Sequence, residues 1–67
     1  MNRQMVSSSR MTSVGWENNV LEIEFNDGSI YQYMNVTVSE YQAFMSSSSL
    51  GSALARFDKV HPYRKIR

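Results

Sequence analysis

Apolar and charged residues alternate most regularly in the segment Val20–Phe25. Its leucine, isoleucine and phenylalanine fall on one side of an extended chain, whereas Glu22 and Glu24 fall on the other. This two-residue period is typical of a strand with one buried face. A less regular alternation over residues 11–16 predicts another strand before it, and the polar residues 17–19 predict the turn between the two.

A hairpin is predicted after this strand, because Asn26-Asp27-Gly28 lies between two apolar runs. The returning strand, residues 29–34, admits two registers. A loop of Asp-Gly alone places Tyr31 and Tyr33 on the face of the two glutamates. A three-residue loop with Gly28 in the left-handed conformation places both tyrosines on the aliphatic face instead, because a shift of one residue exchanges the two faces of a strand.

We favour the three-residue loop, because a chain this short needs the buried area that the aromatic rings supply. This register predicts that Tyr31 and Tyr33 lie in the core, where Trp16 is also expected to pack against the hairpin. It leaves Ile30 and Met34 exposed on the outer face of the sheet. Since a lone monomer rarely exposes such a face, Ile30 and Met34 are candidate residues of a protein interface or a homo-oligomer.

The second half of the chain predicts two short helices. Ser39 followed three residues later by Gln42 forms a capping box, which predicts Ser39 as the N-cap of the first helix. Tyr41, Phe44 and Met45 then fall on one face at helical spacing. The helix fades into the serine run 46–49, because serine is a poor helix former.

A second helix is predicted from Ser49, its N-cap, through Phe57. Its apolar stripe consists of Leu50, Ala53, Leu54 and Phe57. Pro62 ends whatever precedes it, because His61 before the proline is disfavoured in the helical conformation. The predicted fold class is therefore α+β, a three-stranded antiparallel meander followed by two short helices packed on one face, in the order β-β-β-α-α.

Length and composition restrict how this fold is stabilised. The 67 residues form one domain, taken here as residues 6–66, and contain no cysteine and one histidine. Disulfides and thiolate zinc sites are therefore excluded, and we expect neither a metal nor a cofactor. No secretory signal or membrane span is recognisable, so the domain is expected to be soluble, cytoplasmic and away from membranes.

Charge divides the chain into an acidic body and a basic end. Residues 1–55 carry two basic and five acidic side chains, a net charge of −3, whereas residues 56–67 carry five basic and one acidic, a net charge of +4. Positive charge combined with an aromatic ring suits phosphate contact and base stacking. The candidate nucleic-acid-binding residues are accordingly Arg56, Lys59, His61, Tyr63, Arg64, Lys65 and Arg67.

Several of these segments, taken in order, resemble the KTSC domain family. The resemblance consists of Ser13-Val14-Gly15-Trp16, the strand Leu21 to Phe25, Gly28 with Tyr31-x-Tyr33, Val36 with a short helix, and the ending His61 to Ile66. The family is a small domain found alone in bacteria and phages and at the C-terminus of some lysyl-tRNA synthetases. The occurrence of the family in lysyl-tRNA synthetases makes RNA a candidate partner of a small binding module of this type.

Catalysis is not expected, because the chain lacks the usual nucleophile–base pairs and glycine-rich phosphate loops. Asp58 and His61 lie three residues apart near the chain end, which gives no preorganised triad. The sequence therefore predicts a small non-enzymatic binding module, with RNA or another nucleic acid as its candidate partner. The alternative is a protein-interaction or self-assembling module, which includes a phage-encoded factor acting on a host protein.

Overall fold

The computed structural model describes residues 1–67 and contains one five-stranded antiparallel sheet with two helices. The strands lie in the order β1-β2-β3-β4-β5, and both helices are inserted between β4 and β5. The elements are β1 (Arg3–Met5), β2 (Met11–Glu17), β3 (Val20–Phe25), β4 (Ile30–Tyr33), α1 (Val38–Met45), α2 (Leu50–Val60) and β5 (Tyr63–Lys65).

The α+β class and the antiparallel meander are confirmed, but the prediction of three strands is wrong. The two additional strands, β1 and β5, lie at opposite edges of the sheet and have three residues each. Three residues are too few to display a two-residue period in the sequence. Both strands depend on pairing with a neighbour, β1 with β2 and β5 with β4.

The turn predicted at residues 17–19 is a tight hairpin between β2 and β3. Glu17 pairs with Val20, and Asn18 and Asn19 between them have φ angles of 52° and 63°. Two consecutive residues with positive φ are the signature of a type I′ turn, in which asparagine is favoured. The two asparagines thus explain why the first hairpin closes so tightly.

The three-residue loop between β3 and β4 is confirmed. The backbone N–H of Phe25 donates to the Ser29 carbonyl at 2.8 Å, and Gly28 between them has a φ of 88°. Glycine adopts this conformation without the steric cost that a side chain would incur. The resulting register pairs Leu21 with Tyr33 and Ile23 with Tyr31, as predicted.

Helix α1 begins two residues earlier than predicted. Thr37, not Ser39, is the N-cap: its hydroxyl accepts from the Glu40 N–H at 3.1 Å, and the Glu40 carboxylate accepts from the Thr37 N–H at 2.9 Å. The sequence contains two overlapping capping-box patterns, and the one with glutamate at its third position forms. The predicted face is confirmed, since Phe44 is buried and Tyr41 and Met45 pack against the core.

Helix α2 begins as predicted but ends three residues later than predicted, shortly before Pro62. The Ser49 hydroxyl accepts from the Ser52 N–H, which confirms Ser49 as the N-cap. The helix continues three residues beyond Phe57 to Val60, and His61 before Pro62 has an extended backbone. The predicted stripe is also confirmed, with Ala53 and Leu54 buried and Leu50 and Phe57 packed against them.

The core lies between the helices and one face of the sheet. Trp16 is partly buried at its border, where its indole N–H donates to the Val36 carbonyl at 2.8 Å and its ring stacks on Tyr41 at 5.9 Å. Trp16 therefore joins the sheet to α1. The fully buried side chains are Phe44, Met11, Leu21, Ile23, Leu54, Val14 and Val36.

The prediction that Ile30 is exposed on the outer face is wrong, since only 5% of the residue is accessible. The reason is the unpredicted strand β5: the Ile66 N–H donates to the Ile30 carbonyl, and the Ile30 N–H donates to the carbonyl of Arg67. The last residues of the chain therefore lie alongside Ile30. Met34 is partly buried. Ile30 and Met34 thus lack the exposed apolar face from which a protein interface was inferred.

Candidate functional site

A cleft of about 420 Å³ opens on the helix side of the sheet, where β4 and β5 meet the last turns of α2. We call it the aromatic cleft. Its walls combine four aromatic rings with two carboxylates and one guanidinium group. The lining residues are Arg10, Phe25, Asn26, Asp27, Ser29, Tyr31, Tyr33, Asp58 and Tyr63.

Three tyrosines are graded in depth across the cleft. Tyr33 forms its floor with 3% of its surface accessible, Tyr31 is partly buried, and Tyr63 is 51% exposed at the open side. The Tyr63 ring lies 5.1 Å from Tyr33 and 6.1 Å from Tyr31, measured between centroids. Phe25 contacts Tyr31 edge-on at 5.5 Å. Tyr33 is therefore buried in the core, as predicted, whereas Tyr31 is only partly buried and contacts both the core and the cleft.

Asp58 lies at the helix side of the cleft and is tied to its floor. The Tyr33 hydroxyl donates to Asp58 Oδ1 at 2.6 Å. Burial raises the pKa of the Tyr33 phenol far above its ordinary value, and the hydrogen bond to Asp58 raises it further. The phenol is therefore a permanent donor at neutral pH, and it holds the Asp58 carboxylate in one orientation.

The Tyr33–Asp58 contact predicts a loss of stability in alkali. A phenol whose pKa is raised on folding stabilises the folded state fully below its ordinary value of 10.0, and this contribution declines as the pH rises above that value. We expect urea midpoints of the wild type to fall more than those of Tyr33→Phe between about pH 8 and about pH 11. Equal losses in the two proteins would contradict this assignment.

The remaining polar groups of the cleft surround its opening. Asp27 Oδ1 accepts from both the hydroxyl and the backbone N–H of Ser29, and these bonds lower the pKa of the Asp27 carboxyl. The Arg10 guanidinium lies over the Phe25 ring, with Cζ 6.0 Å from its centroid. Lys65 pairs with Tyr31 in the sheet, so its side chain points to the cleft side.

The candidate basic residues are divided among different surfaces. Tyr63 and Lys65 alternate with Arg64 along β5, so the first two face the cleft and Arg64 faces the opposite side. Arg56 and Lys59 are exposed on α2, and Arg67 is exposed beyond the end of β5. The structure therefore brings Tyr63 and Lys65 together at the cleft but does not gather all seven candidate residues into one patch.

His61 is not an accessible ligand. It is only 7% exposed, its Nε2 lies 3.0 Å from Glu40 Oε2, and its ring packs edge-on against Phe57. The backbone hydrogen bond to Thr37 is the main cause that lowers the pKa of Glu40, and the nearby His61 lowers it further. His61 therefore connects the end of α2 to the start of α1, which agrees with a structural role.

The opposite face of the sheet is occupied by a polar network. Arg3 donates to Glu22, and the Gln32 side-chain amide donates to the same carboxylate at 2.9 Å. The Arg64 guanidinium group donates to the side-chain oxygen Oε1 of Gln32 at 3.5 Å. Burial opposes ionisation of Glu22, but the hydrogen bonds from Gln32 and Arg3 outweigh it and lower the pKa. Many hydrogen-bonding groups on this face are thus paired within the protein, including one N–H group of the Arg64 guanidinium.

Sequence reasoning missed most members of the cleft. The charge pattern identifies Tyr63 as a ring at the basic end, but it does not connect Arg10, Phe25, Asp27 and Asp58 with it. Phe25 and Asp27 belong to the β3–β4 hairpin, whereas Arg10 and Asp58 come from distant segments and Tyr63 joins them because β5 returns to β4. No group of three or more His, Cys, Asp or Glu side chains is arranged to hold a metal ion. No helix is long and apolar enough to span a bilayer.

A family model and a solved structure that resemble this chain both belong to the KTSC domain family. The family model of the KTSC domain matches residues 7–63. An uncharacterized protein of Stutzerimonas stutzeri (strain A1501) is 35% identical over 69 residues, which cover 100% of this chain and 97% of that protein. The crystal structure of a KTSC domain protein from Yersinia pestis is 42% identical, with a TM-score of 0.84 over 98% of this chain and 97% of that one.

Proposed function

This chain belongs to the KTSC domain family, and we propose that it is a small non-enzymatic module that binds single-stranded RNA at the aromatic cleft. The observation that carries the proposal is the arrangement of Tyr63 and Lys65. An exposed phenol ring and an exposed ammonium group lie two residues apart on the same face of one strand, at the open side of the cleft. This pair supplies one stacking surface and one phosphate contact.

Stacking is the larger of the two contributions. A base stacked on an aromatic side chain contributes about 1–3 kcal/mol, and every base has a face that can stack. Tyr63 offers its exposed ring, and Tyr31 behind it supports that ring at 6.1 Å. A duplex hides its base faces, so a cleft of this kind favours unpaired nucleotides.

Positive charge supplies the second contribution. Lys65 is exposed on the cleft side of β5, and exposed Arg56, Lys59 and Arg67 lie on the neighbouring end of α2 and beyond β5. Contacts between such side chains and phosphates release counterions, so the affinity falls as salt rises. Few cations are available, and weak binding in the micromolar range is therefore expected.

The chemistry of the cleft supports binding over catalysis. Its polar groups are phenols, carboxylates, an amide, a hydroxyl and a guanidinium group. The single histidine lies elsewhere and is paired with Glu40. A general base of suitable pKa next to a nucleophile is the usual requirement for hydrolysis or group transfer, and the cleft offers hydrogen-bonding groups for recognition instead.

Adjacent residues of β5 provide a sharp test of this proposal. Lys65→Ala and Arg64→Ala remove the same charge from the same strand, but only Lys65 faces the cleft. We expect Lys65→Ala to weaken the binding of a fluorescein-labelled single-stranded RNA several-fold, measured by fluorescence anisotropy at about 50 mM salt, and Arg64→Ala to have a much smaller effect. Raising the salt to about 200 mM should reduce the wild-type affinity.

Substitution of Tyr63 tests the stacking contribution in the same assay. Tyr63→Ala should lose about 5- to 100-fold in affinity, whereas Tyr63→Phe retains the ring and should bind nearly as the wild type does. Circular dichroism of each variant provides the folding control. Absence of salt-dependent RNA binding at micromolar wild-type protein would overturn the proposed function, and so would equal losses for Lys65→Ala and Arg64→Ala.

A further inference from the structure

The aromatic cleft contains two carboxylates that general RNA binding does not require. Asp27 and Asp58 both line it, although a carboxylate repels a phosphate. In a site for a nucleotide, an acceptor of this kind finds its donors among the ribose hydroxyls and the N–H groups on the edge of a base. The carboxylate that still has an unpaired oxygen therefore indicates which base could bind in the cleft.

Asp58 is the carboxylate with free capacity. Asp27 Oδ1 already accepts two hydrogen bonds from Ser29, in a turn at the edge of the cleft. Asp58 accepts one hydrogen bond, from the Tyr33 hydroxyl to Oδ1, and its Oδ2 has no donor from the protein. A carboxylate can accept about four hydrogen bonds. Asp58 is exposed and is also fixed in place by the buried Tyr33, so it is preorganised to receive a ligand.

Base chemistry decides which ligand suits such an acceptor. Guanine carries two adjacent donors, N1–H and the N2 amino group, which are parallel and match the two oxygens of one carboxylate. Adenine and cytosine each present a single amino group on this edge, and uracil presents a single imino group between two carbonyls. Arginine is the usual partner of the guanine O6 and N7 acceptors. Arg10 lines the same cleft and supplies such donors.

We propose that the aromatic cleft binds a guanine base of single-stranded RNA, with Asp58 accepting from guanine N1–H and N2 while Tyr63 stacks on the ring. The inference rests on the proposed function and assigns the base preference of the same site. Arg10 contacts the acceptor side of the base, and Lys65 contacts the adjoining phosphate. The cation–π contact of Arg10 with Phe25 keeps its guanidinium group at the cleft.

The preference is testable with short oligouridine RNAs that carry one variable central base, so that no guanine quadruplex forms. We expect the RNA with guanine to bind about 5- to 100-fold more tightly than those with adenine, cytosine or uracil, the discrimination typical of one bidentate pair. Inosine lacks the N2 amino group and should bind with intermediate affinity. The measurement is fluorescence anisotropy with the full chain.

A matched pair of variants assigns the preference to Asp58. Asp58→Asn keeps the shape and an acceptor for Tyr33 but replaces one acceptor oxygen by a donor, so the guanine preference should fall to within about two-fold of the other bases. Asp27→Asn is the control and should keep the preference. Chemical-shift changes of the Tyr33 ring with 5′-GMP but not 5′-AMP would support the same contact without the polymer.

The outcomes separate this inference from the proposed function. If all four RNAs bind equally while Lys65→Ala still weakens them, the guanine assignment is wrong and the RNA-binding proposal stands. If Asp27→Asn removes the preference and Asp58→Asn does not, the assignment to Asp58 is wrong. If a hexa-arginine peptide binds more tightly than every RNA, the carboxylates serve a cationic protein partner, and both proposals are overturned.

Discussion

Replacing Phe44 with alanine is expected to lower the urea midpoint of the domain sharply. Phe44 is 2% exposed and packs on Phe57 with their ring centroids 5.3 Å apart. Truncation of a buried phenylalanine costs about 3–5 kcal/mol, because a cavity is added to the lost burial. A 67-residue domain has a free energy of unfolding of roughly 3–10 kcal/mol in total. The single substitution therefore removes much or all of the stability.

Urea denaturation followed by circular dichroism measures this loss, and Val38→Ala on the same helix is its control. Val38 is apolar but 46% exposed at the first position of α1. Its truncation should change the free energy of unfolding by less than about 0.5–1 kcal/mol. A Phe44→Ala midpoint close to that of Val38→Ala would show that α1 is not part of the core.

The second large effect is expected for Gly15→Ala in the middle of β2. An added Cβ would lie 2.6 Å from the backbone oxygen of Asn2 and 2.9 Å from Arg3 Cγ, because Arg3 pairs with Gly15 across the sheet. The backbone oxygen cannot move away without displacing β1. We expect a loss of about 1–3 kcal/mol, typical of overpacking, with part of it arising from the disrupted contact between Arg3 and Glu22.

Hydrogen exchange monitored by NMR distinguishes this loss from general unfolding. Gly15→Ala should speed exchange of amides paired between β1 and β2, whereas those paired between β3 and β4 should change in proportion to global stability alone. Gly51→Ala is the matched control, because its Cβ would meet only Arg10 Cδ at an ordinary 3.7 Å. Higher helix propensity should make it neutral or stabilising by up to about 1 kcal/mol.

The central hairpin could be predicted because the sequence signals that specify it each lie within a few neighbouring residues. The alternation in β3 and the Asn26-Asp27-Gly28 loop each act over a few residues, and the need to bury aromatic area selected between two registers. The caps of α2 are local in the same way. At α1 two capping patterns overlap by two residues, and the sequence does not rank Thr37 against Ser39 before the packing of Phe44 fixes the orientation of the helix.

The cleft could not be predicted in full, because its open side is formed by Tyr63 of β5. A three-residue strand has almost no pattern of its own, and its pairing with β4 is decided by the length and direction of the two intervening helices. Without β5, Ile30 appears exposed and Tyr63 appears to belong to a solvated tail. The same missing strand therefore accounts for the wrong expectation that Ile30 is exposed and for the unrecognised relation between Tyr63, Tyr31 and Asp58.

The return of the chain from β4 to β5 also bears on the order of folding. Each of the other strand pairs is joined by five residues or fewer, whereas β4 and β5 are separated by residues 34–62. Closing the longer connection costs more chain entropy, so we expect the meander of the first four strands to form first and β5 to dock late. The open side of the aromatic cleft is then the last part of the molecule to assemble, and transient fraying of β5 would remove Tyr63 from it while the rest of the sheet stays intact.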